Sequence, residues 1–273
     1  MLPNLLVIGT FRSGTTWLYM VLKKHPEIFL PSQKEIMFFT RHYTRELRWY
    51  EGFFAQHNGE KYAADISPAY LSNPDAPRRI KKNLSEVKLI AVLRNPPEQI
   101  WSLYNLWLTR GYTTKSLDLI LTPEGELLNN VMYFRHISSY LEYFDRKDML
   151  ILFYEDLKAD PVSFLQSIYG FLDISDLYED DFANFWNQTR SPRSRVIEKV
   201  IAKTGEFLHR SGRISLKSRL NKIGFTGTIK RINTRPAKAK TIPSDLRLRI
   251  NDYVFDDKKN LEALVSRDLS FWK

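Results

Sequence analysis

The stretch Leu5-Leu6-Val7-Ile8-Gly9-Thr10-Phe11-Arg12-Ser13-Gly14-Thr15-Thr16-Trp17 runs from a continuous apolar segment, through a loop bounded by glycines, into the apolar-periodic positions Leu18, Val21 and Leu22. Strand, loop and helix in that order aim backbone N–H groups and a helix N-terminus at one spot, which suits a phosphate. The loop nearly matches the signature G-x-x-x-x-G-K-[ST] of nucleoside-triphosphate sites. Thr15, however, stands where the lysine belongs, Thr16 holds the hydroxyl position, and the basic residue lies inside the loop as Arg12. The expected ligand is therefore nucleotide-like, but neither ATP nor GTP. A tight strand-to-helix turn with no ligand also accounts for Gly9 and Gly14 taken alone.

Working outward, Tyr62–Ala64, Lys88–Leu93 and Met149–Tyr154 repeat the short apolar run of Leu5–Ile8, with helical patterns between them. Continuous apolar strands alternating with helices predict a parallel sheet covered on both faces. The expected fold is α/β, P-loop-like, a three-layer α/β/α arrangement with a central parallel sheet. Ligands of such sheets sit at the carboxyl ends of the strands, near a topological switch point. Gly9 and Arg94 each follow a predicted strand, so both loops belong on one rim.

The second loop, Arg94-Asn95-Pro96-Pro97, places Asn95 at an N-cap and Pro96 at a first helical position. The helix that follows carries Ile100, Leu103, Tyr104, Trp107 and Leu108 as one apolar stripe. Ser102 lies off that stripe and can face the rim with Arg94, which makes a second anion site. Further on, Phe164, Ile168 and Phe171 predict a short helix. Ser244 is expected to cap a helix bearing Leu246, Ile250 and Tyr253. Leu261, Leu264, Leu269 and Trp272 predict a C-terminal element docked on the core.

One domain over residues 1–273 is expected, large enough to bury a core without staples. The absence of cysteine excludes disulfides, thiolate zinc sites and cysteine nucleophiles, and the 5 histidines show no metal-ligand spacing. No metal is expected. No apolar run reaches the length of a membrane span, and the first strand begins too close to Met1 for a signal peptide, so a cytoplasmic protein is expected. The net charge of +10 is uneven. Residues 190–240 hold 15 Lys or Arg against Glu198 and Glu206, a local +13, so the rest of the chain carries −3. Residues 211–242, with Gly224, Gly227, Pro236 and many charges, read as a basic loop or lid. Such a stretch steers an anion. Nucleic acid is the rival partner, but no nucleic-acid-binding signature accompanies the charge.

Two anion sites on one sheet edge, one with an arginine-bearing cradle, resemble the sulfotransferases that use 3′-phosphoadenosine 5′-phosphosulfate (PAPS). Gly9–Trp17 is similar to the family's loop for the 5′-phosphosulfate. Arg94 and Ser102 are similar, spacing included, to its pair for the 3′-phosphate. Lys34-Glu35-Ile36-Met37-Phe38-Phe39 resembles the K-E-x-x-x-F segment of the heparan-sulfate type, and Tyr154-Glu155-Asp156-Leu157 and Arg267-Asp268-Leu269-Ser270-Phe271-Trp272 also look familial. Many carbohydrate sulfotransferases have Lys where Arg12 stands; Arg occurs in other branches.

The resemblance implies PAPS as co-substrate and 3′,5′-bisphosphoadenosine (PAP) as product, with no metal. The acceptor is a hydroxyl or amine, on a small molecule or a glycan. Arg12, Ser13, Gly14, Thr15, Thr16, Trp17, Arg94 and Ser102 are the expected donor-binding residues, Trp17 as core or as an adenine-side wall, with Arg193, in Arg190-Ser191-Pro192-Arg193, on the adenine side. Arg12 would stabilise charge on the leaving oxygen, and Glu35 would be the general base. Ser32-Gln33-Lys34-Glu35 is equally an S-x-x-E capping box at a helix start. Lys34, Asp65 and Ser67 are candidate acceptor contacts. Asp65 replaces the Lys of the heparan-type K-T-P-x-Y segment. His42 and His57 are bases by residue type alone. Tyr43, Trp49, Tyr50, Phe53 and Phe54 either line an acceptor pocket or belong to the core. A P-loop kinase or NTPase, which needs the missing lysine and a magnesium-binding Asp, and a non-catalytic anion- or nucleic-acid-binding module are the alternatives.

Overall fold

The computed structural model describes residues 1–178, 190–192, 234–236 and 241–272. A five-stranded parallel sheet has the order β2-β3-β1-β4-β5, formed by β1 (Leu5–Gly9), β2 (Ile28–Phe29), β3 (Tyr62–Ile66), β4 (Lys88–Leu93) and β5 (Met149–Phe153). β1 is central, with Leu5 opposite Ala64 of β3 and Lys88 of β4. Its residues are buried throughout, as expected for a strand covered on both faces. Alternate side chains enter different cores. Leu6 and Ile8 join one with α4 (Pro96–Arg110) and α7 (Tyr133–Leu141). Leu5 and Val7 join the other with α1 (Thr15–Leu22) and α9 (Pro161–Leu172). These are the three layers expected.

The chain leaves β1 through α1 toward β2, and leaves β4 through α4 toward β5 on the other side. The sheet therefore has its switch point between β1 and β4, which puts a crevice at their carboxyl ends. The four apolar runs are the strands β1, β3, β4 and β5. β2 was not foreseen, because two residues carry no periodicity. Phe164 and Ile168 are buried in α9, whose N-cap Asp160 accepts from Val162 N at 3.0 Å and Ser163 N at 3.1 Å.

The C-terminal helices are α10 (Ser244–Tyr253) and α11 (Phe255–Val265). Ser244 is the first helical residue rather than the cap, which is Pro243. Leu261, Leu269 and Trp272 are buried, as the apolar spacing implied. β6 (Arg190–Pro192) and β7 (Thr234–Pro236) are antiparallel, with Ser191 opposite Arg235. Arg193 and most of residues 211–242 lie outside the described residues. Among the described residues, no helix is long and apolar enough to cross a membrane.

α7 buttresses the crevice and is itself pinned by Asp257 of α11, which accepts from Phe134 N at 2.9 Å and Arg135 N at 3.1 Å. On the same helix, His136 is 7% exposed and bonds the Asn129 carbonyl at 2.6 Å. Burial lowers its pKa to about 4. The unfolded chain therefore binds a proton that the folded chain refuses between about pH 6.5 and pH 4. The contribution of neutral His136 is present above pH 6.5 and is lost as pH falls to 4, by up to about 3 kcal/mol. Thermal unfolding across that window is expected to fall more steeply for the native chain than for His136→Gln, whose amide also donates to Asn129. Parallel curves would remove His136 as the source.

Candidate functional site

The loop from β1 to α1 is shaped by its two glycines. A Cβ on Gly9 would lie 2.5 Å from Cβ of Leu71, so the loop passes this neighbour only without a side chain. Gly14 has φ 86°, in the left-handed region that favours glycine, and a Cβ there would meet Leu157 at 2.8 Å. α1 starts immediately after, its first backbone bond running from Leu18 N to Gly14 O at 3.0 Å. The N–H groups of Gly14, Thr15 and Thr16 thus have no acceptor one turn earlier within the helix, and they face the crevice end of β1.

Arg12 sits on this loop with φ 65°. Its Nε donates to Ser102 Oγ of α4 at 2.9 Å, and its carbonyl accepts from Arg94 Nη1 at 2.7 Å. The loop and a point on α4 90 residues away in sequence are thereby joined at the switch point. Burial first, then the charges of Arg94 and Arg110, push the Arg12 pKa below the ordinary arginine range. Cations gathered at a helix N-terminus form a site for an anion. Arg110, the last residue of α4, was not anticipated; its position eight residues beyond Ser102 on one helix was the available signal.

Arg94 is fixed from several sides. Its guanidinium lies 4.7 Å from the centre of the Tyr154 ring, and its carbonyl accepts from the Tyr133 hydroxyl at 2.8 Å. Glu155 then staples the loop, accepting from Asn95 N at 3.2 Å and from Trp272 Nε1 at 3.0 Å. Asp156 holds Arg267 in a bidentate pair at 2.5 and 2.7 Å. The Tyr154–Leu157 run and the C-terminal Arg267–Trp272 run are therefore partners in one brace behind Arg94. Gln99, fully buried, donates to the Phe11 carbonyl at 3.1 Å and so holds the first loop against α4. Sequence patterning gave no sign of Gln99, since its bond is purely tertiary.

Lys34 and Glu35 arrive from the segment after β2. Lys34 Nζ is 3.0 Å from Thr16 Oγ1, 3.5 Å from Thr15 Oγ1 and 3.0 Å from Glu35 Oε1. A distant segment thus brings an ammonium to the loop positions where the triphosphate signature has its Lys and hydroxyl. Glu35 has φ 59°, and residues 31–37 contain no helix, so the capping-box explanation of Ser32 and Glu35 fails.

Several expected contacts turn inward instead. Trp17 is 2% exposed and packs edge-on against Phe164 at 6.3 Å, because it lies on the core face of α1. The Ser13 hydroxyl is buried and donates to the Thr10 carbonyl at 2.6 Å, closing the loop upon itself. Asp65 and Ser67 are 1% and 0% exposed, bonded to each other and to their surroundings rather than presented to the crevice. His57 bonds the Glu60 carbonyl at 2.8 Å, at the amino end of β3 and so on the opposite rim. His42 packs 5.3 Å from Trp49. Tyr50 and Phe54 are core, whereas Tyr43, Trp49 and Phe53 are partly buried around it. Among the described residues, no group of three or more His, Asp or Glu is placed to hold a metal.

Comparison with known proteins agrees with this arrangement. A sulfotransferase from Alicyclobacillus acidocaldarius superposes with a TM-score of 0.72 over 100% of this chain and 99% of that one, at 21% identity, which is a likeness of fold. The membrane-associated sulfotransferase kil1 of Dictyostelium discoideum is 40% identical over 116 residues, 40% of this chain and 25% of that protein. The bifunctional heparan sulfate N-deacetylase/N-sulfotransferase 4 of Mus musculus is 29% identical over 218 residues, 68% of this chain and 25% of that protein. The heparan sulfate glucosamine 3-O-sulfotransferase 6 of Mus musculus is 27% identical over 65% of this chain and 54% of its own. The chain thus spans about a quarter to about half the length of these curated relatives. The sulfotransferase domain pattern itself matches residues 2–207, which takes in the Gly9–Trp17 loop, Lys34–Glu35, the Arg94–Ser102 pair and the brace at Tyr154, and the chain belongs to that family.

Proposed function

We propose that this protein transfers the sulfuryl group of PAPS to a hydroxyl or amine of a carbohydrate, releasing PAP. The observation that carries the reading is Arg12, which bonds Ser102 at 2.9 Å and Arg94 at 2.7 Å and so joins two anion pockets at one switch point. A donor with separate phosphates at the 3′ and 5′ positions of its ribose matches a pair of pockets better than a triphosphate does. The family favours neither the kinase or NTPase reading nor the non-catalytic one. Heparan sulfate in the names of two relatives supports a glycan acceptor. A cytoplasmic location is part of the proposal, although one relative is membrane-associated by name.

The acceptor oxygen or nitrogen attacks sulfur as the S–O bond to the 5′-phosphate breaks. Glu35 takes the acceptor proton, and the bridging oxygen leaves with PAP. The protein's work is in-line positioning and charge stabilisation. Arg12 and the N–H groups at the start of α1 oppose charge on the leaving oxygen. Thr16 and Lys34 bind its neighbours. Arg94 and Ser102 take the 3′-phosphate. The side chains of Trp17 and Ser13 act from behind, as packing and as loop closure.

Titration calorimetry with PAP in the absence of magnesium tests the reading. Binding is expected, and Arg94→Ala is expected to weaken it about tenfold or more, the value of a charge-assisted hydrogen bond. Unchanged affinity would remove Arg94 from the site, and magnesium-dependent binding of ATP in preference to PAP would restore the kinase reading.

A further inference from the structure

Asp65 lies where heparan-type sequences suggested a cationic acceptor contact, yet it is buried at the carboxyl end of β3. Its Oδ2 accepts from the Tyr50 hydroxyl at 2.9 Å and the Tyr70 hydroxyl at 2.7 Å, and its Oδ1 from Ser67 Oγ at 2.8 Å. A carboxylate only accepts, so it fixes the polarity of all three hydroxyls. The Ser67 proton is committed to Asp65, which leaves a lone pair of Ser67 Oγ to accept the Met37 N–H at 3.1 Å. Two residues earlier, Glu35 N donates to the Ile66 carbonyl at 3.2 Å. The Ser67 N–H donates to Val7 O at 3.1 Å, which ties the same point to β1.

These bonds hold an unusual backbone. Glu35 and Met37 both lie in the left-handed region, with φ 59° and 55°, while Ile36 between them is buried. Side-chain-bearing residues resist that region, so the conformation persists only where its surroundings enforce it. One of the enforcing bonds comes from strand backbone; the other comes from the Asp65–Ser67 pair. The result is a strap that delivers Lys34 to Thr16 and leaves Glu35 half-exposed beside it.

We propose that Asp65 is a positioning residue, acting through Ser67 to hold the Lys34–Met37 strap in the geometry that presents Glu35 at the phosphate loop. The inference deepens the proposed function and rests on its assignment of Glu35. It replaces acceptor contact by Asp65 with a task performed from inside the fold. A carboxylate suits that task better than an amide. The side chain introduced by Asp65→Asn has an NH₂ able to turn toward Ser67 and reverse the hydroxyl, so that the lone pair facing Met37 N is no longer fixed in place.

The experiment compares the native chain, Ser67→Ala, Asp65→Asn, Glu35→Gln and the Ser67→Ala/Glu35→Gln double variant. Hydrogen exchange is measured with PAP bound, and transfer from labelled PAPS to desulfated heparin at saturating donor. Ser67→Ala and Asp65→Asn are expected to speed amide exchange in the 34–38 peptide but not in the 9–22 peptide, and to keep PAP affinity. Their transfer rate is expected to fall about tenfold or more, as small misplacements of reacting groups do. The double variant is expected to be no slower than Glu35→Gln alone, because both changes act on one group. Native exchange in both single variants would overturn the proposal. So would loss of PAP affinity in step with rate, which would mark general damage to the fold. A Glu35→Gln protein as fast as the native chain would overturn the assignment of the base instead, while the exchange data would still report whether Asp65 holds the strap.

Discussion

Glu35→Gln is expected to reduce transfer from PAPS by about 10²–10⁴-fold, the usual contribution of a positioned general base. The amide keeps the shape of the carboxylate and its ability to accept from Lys34 Nζ, now 3.0 Å from Oε1, but cannot take a proton from the acceptor. The residue's local role is also clear of helix capping, since no helix begins at Ser32. Glu35 meets the phosphate loop only through Lys34, so PAP affinity is expected to stay near that of the native chain. Steady-state rates with labelled PAPS, paired with PAP calorimetry, check both halves. Native-like turnover with intact PAP binding would dismiss Glu35 as the base.

The second large effect is expected at Arg12. Arg12→Ala removes the guanidinium from the centre of the site and is expected to lower kcat by about 10²–10³-fold, the cost of losing one donor aimed at developing charge. The same change breaks the bond to Ser102, so PAP affinity is expected to fall as well. Arg12→Lys separates these contributions. A lysine restores the charge without the planar fork, which satisfies Ser102 through Nε while leaving the Nη groups for an anion. It is expected to recover part of the affinity and less of the rate. Equal recovery of both would show that Arg12 acts only as a charge. The crowding of Arg12 by Arg94 and Arg110 gives the prediction its direction, because a dianion offsets the repulsion among these charges.

Much of this architecture was legible from local signals. Leu5–Ile8 and Lys88–Leu93 are continuous apolar runs of strand length, and the loops after them had to share a rim if the strands were parallel. The angle of Ser102 from the apolar stripe of α4 put it on the rim side, where its hydroxyl meets Arg12. The direction in which individual side chains point was less legible. Ser13 and Trp17 sit in the Gly9–Trp17 motif; the Ser13 hydroxyl 2.6 Å from the Thr10 carbonyl serves the fold, and the Trp17 indole against Phe164 takes the core alternative. Nothing local distinguishes them from Thr16. Asp65 was misread for the same reason: its partners Tyr50 and Tyr70 are contributed by separate segments that only the tertiary structure brings together. The pairing of the Tyr154–Leu157 run with the C-terminal tail was likewise invisible, since two motifs that look familial carry no mark that one braces the other.

A crystal of the protein grown with PAP tests the central claim most directly. The account predicts one nucleotide spanning the switch point, its 5′-phosphate on the Gly9–Thr16 loop near Arg12 and its 3′-phosphate between Arg94 and Ser102. PAP held at any other place, or a crystal in which these arginines remain without it at saturating nucleotide, would contradict the account.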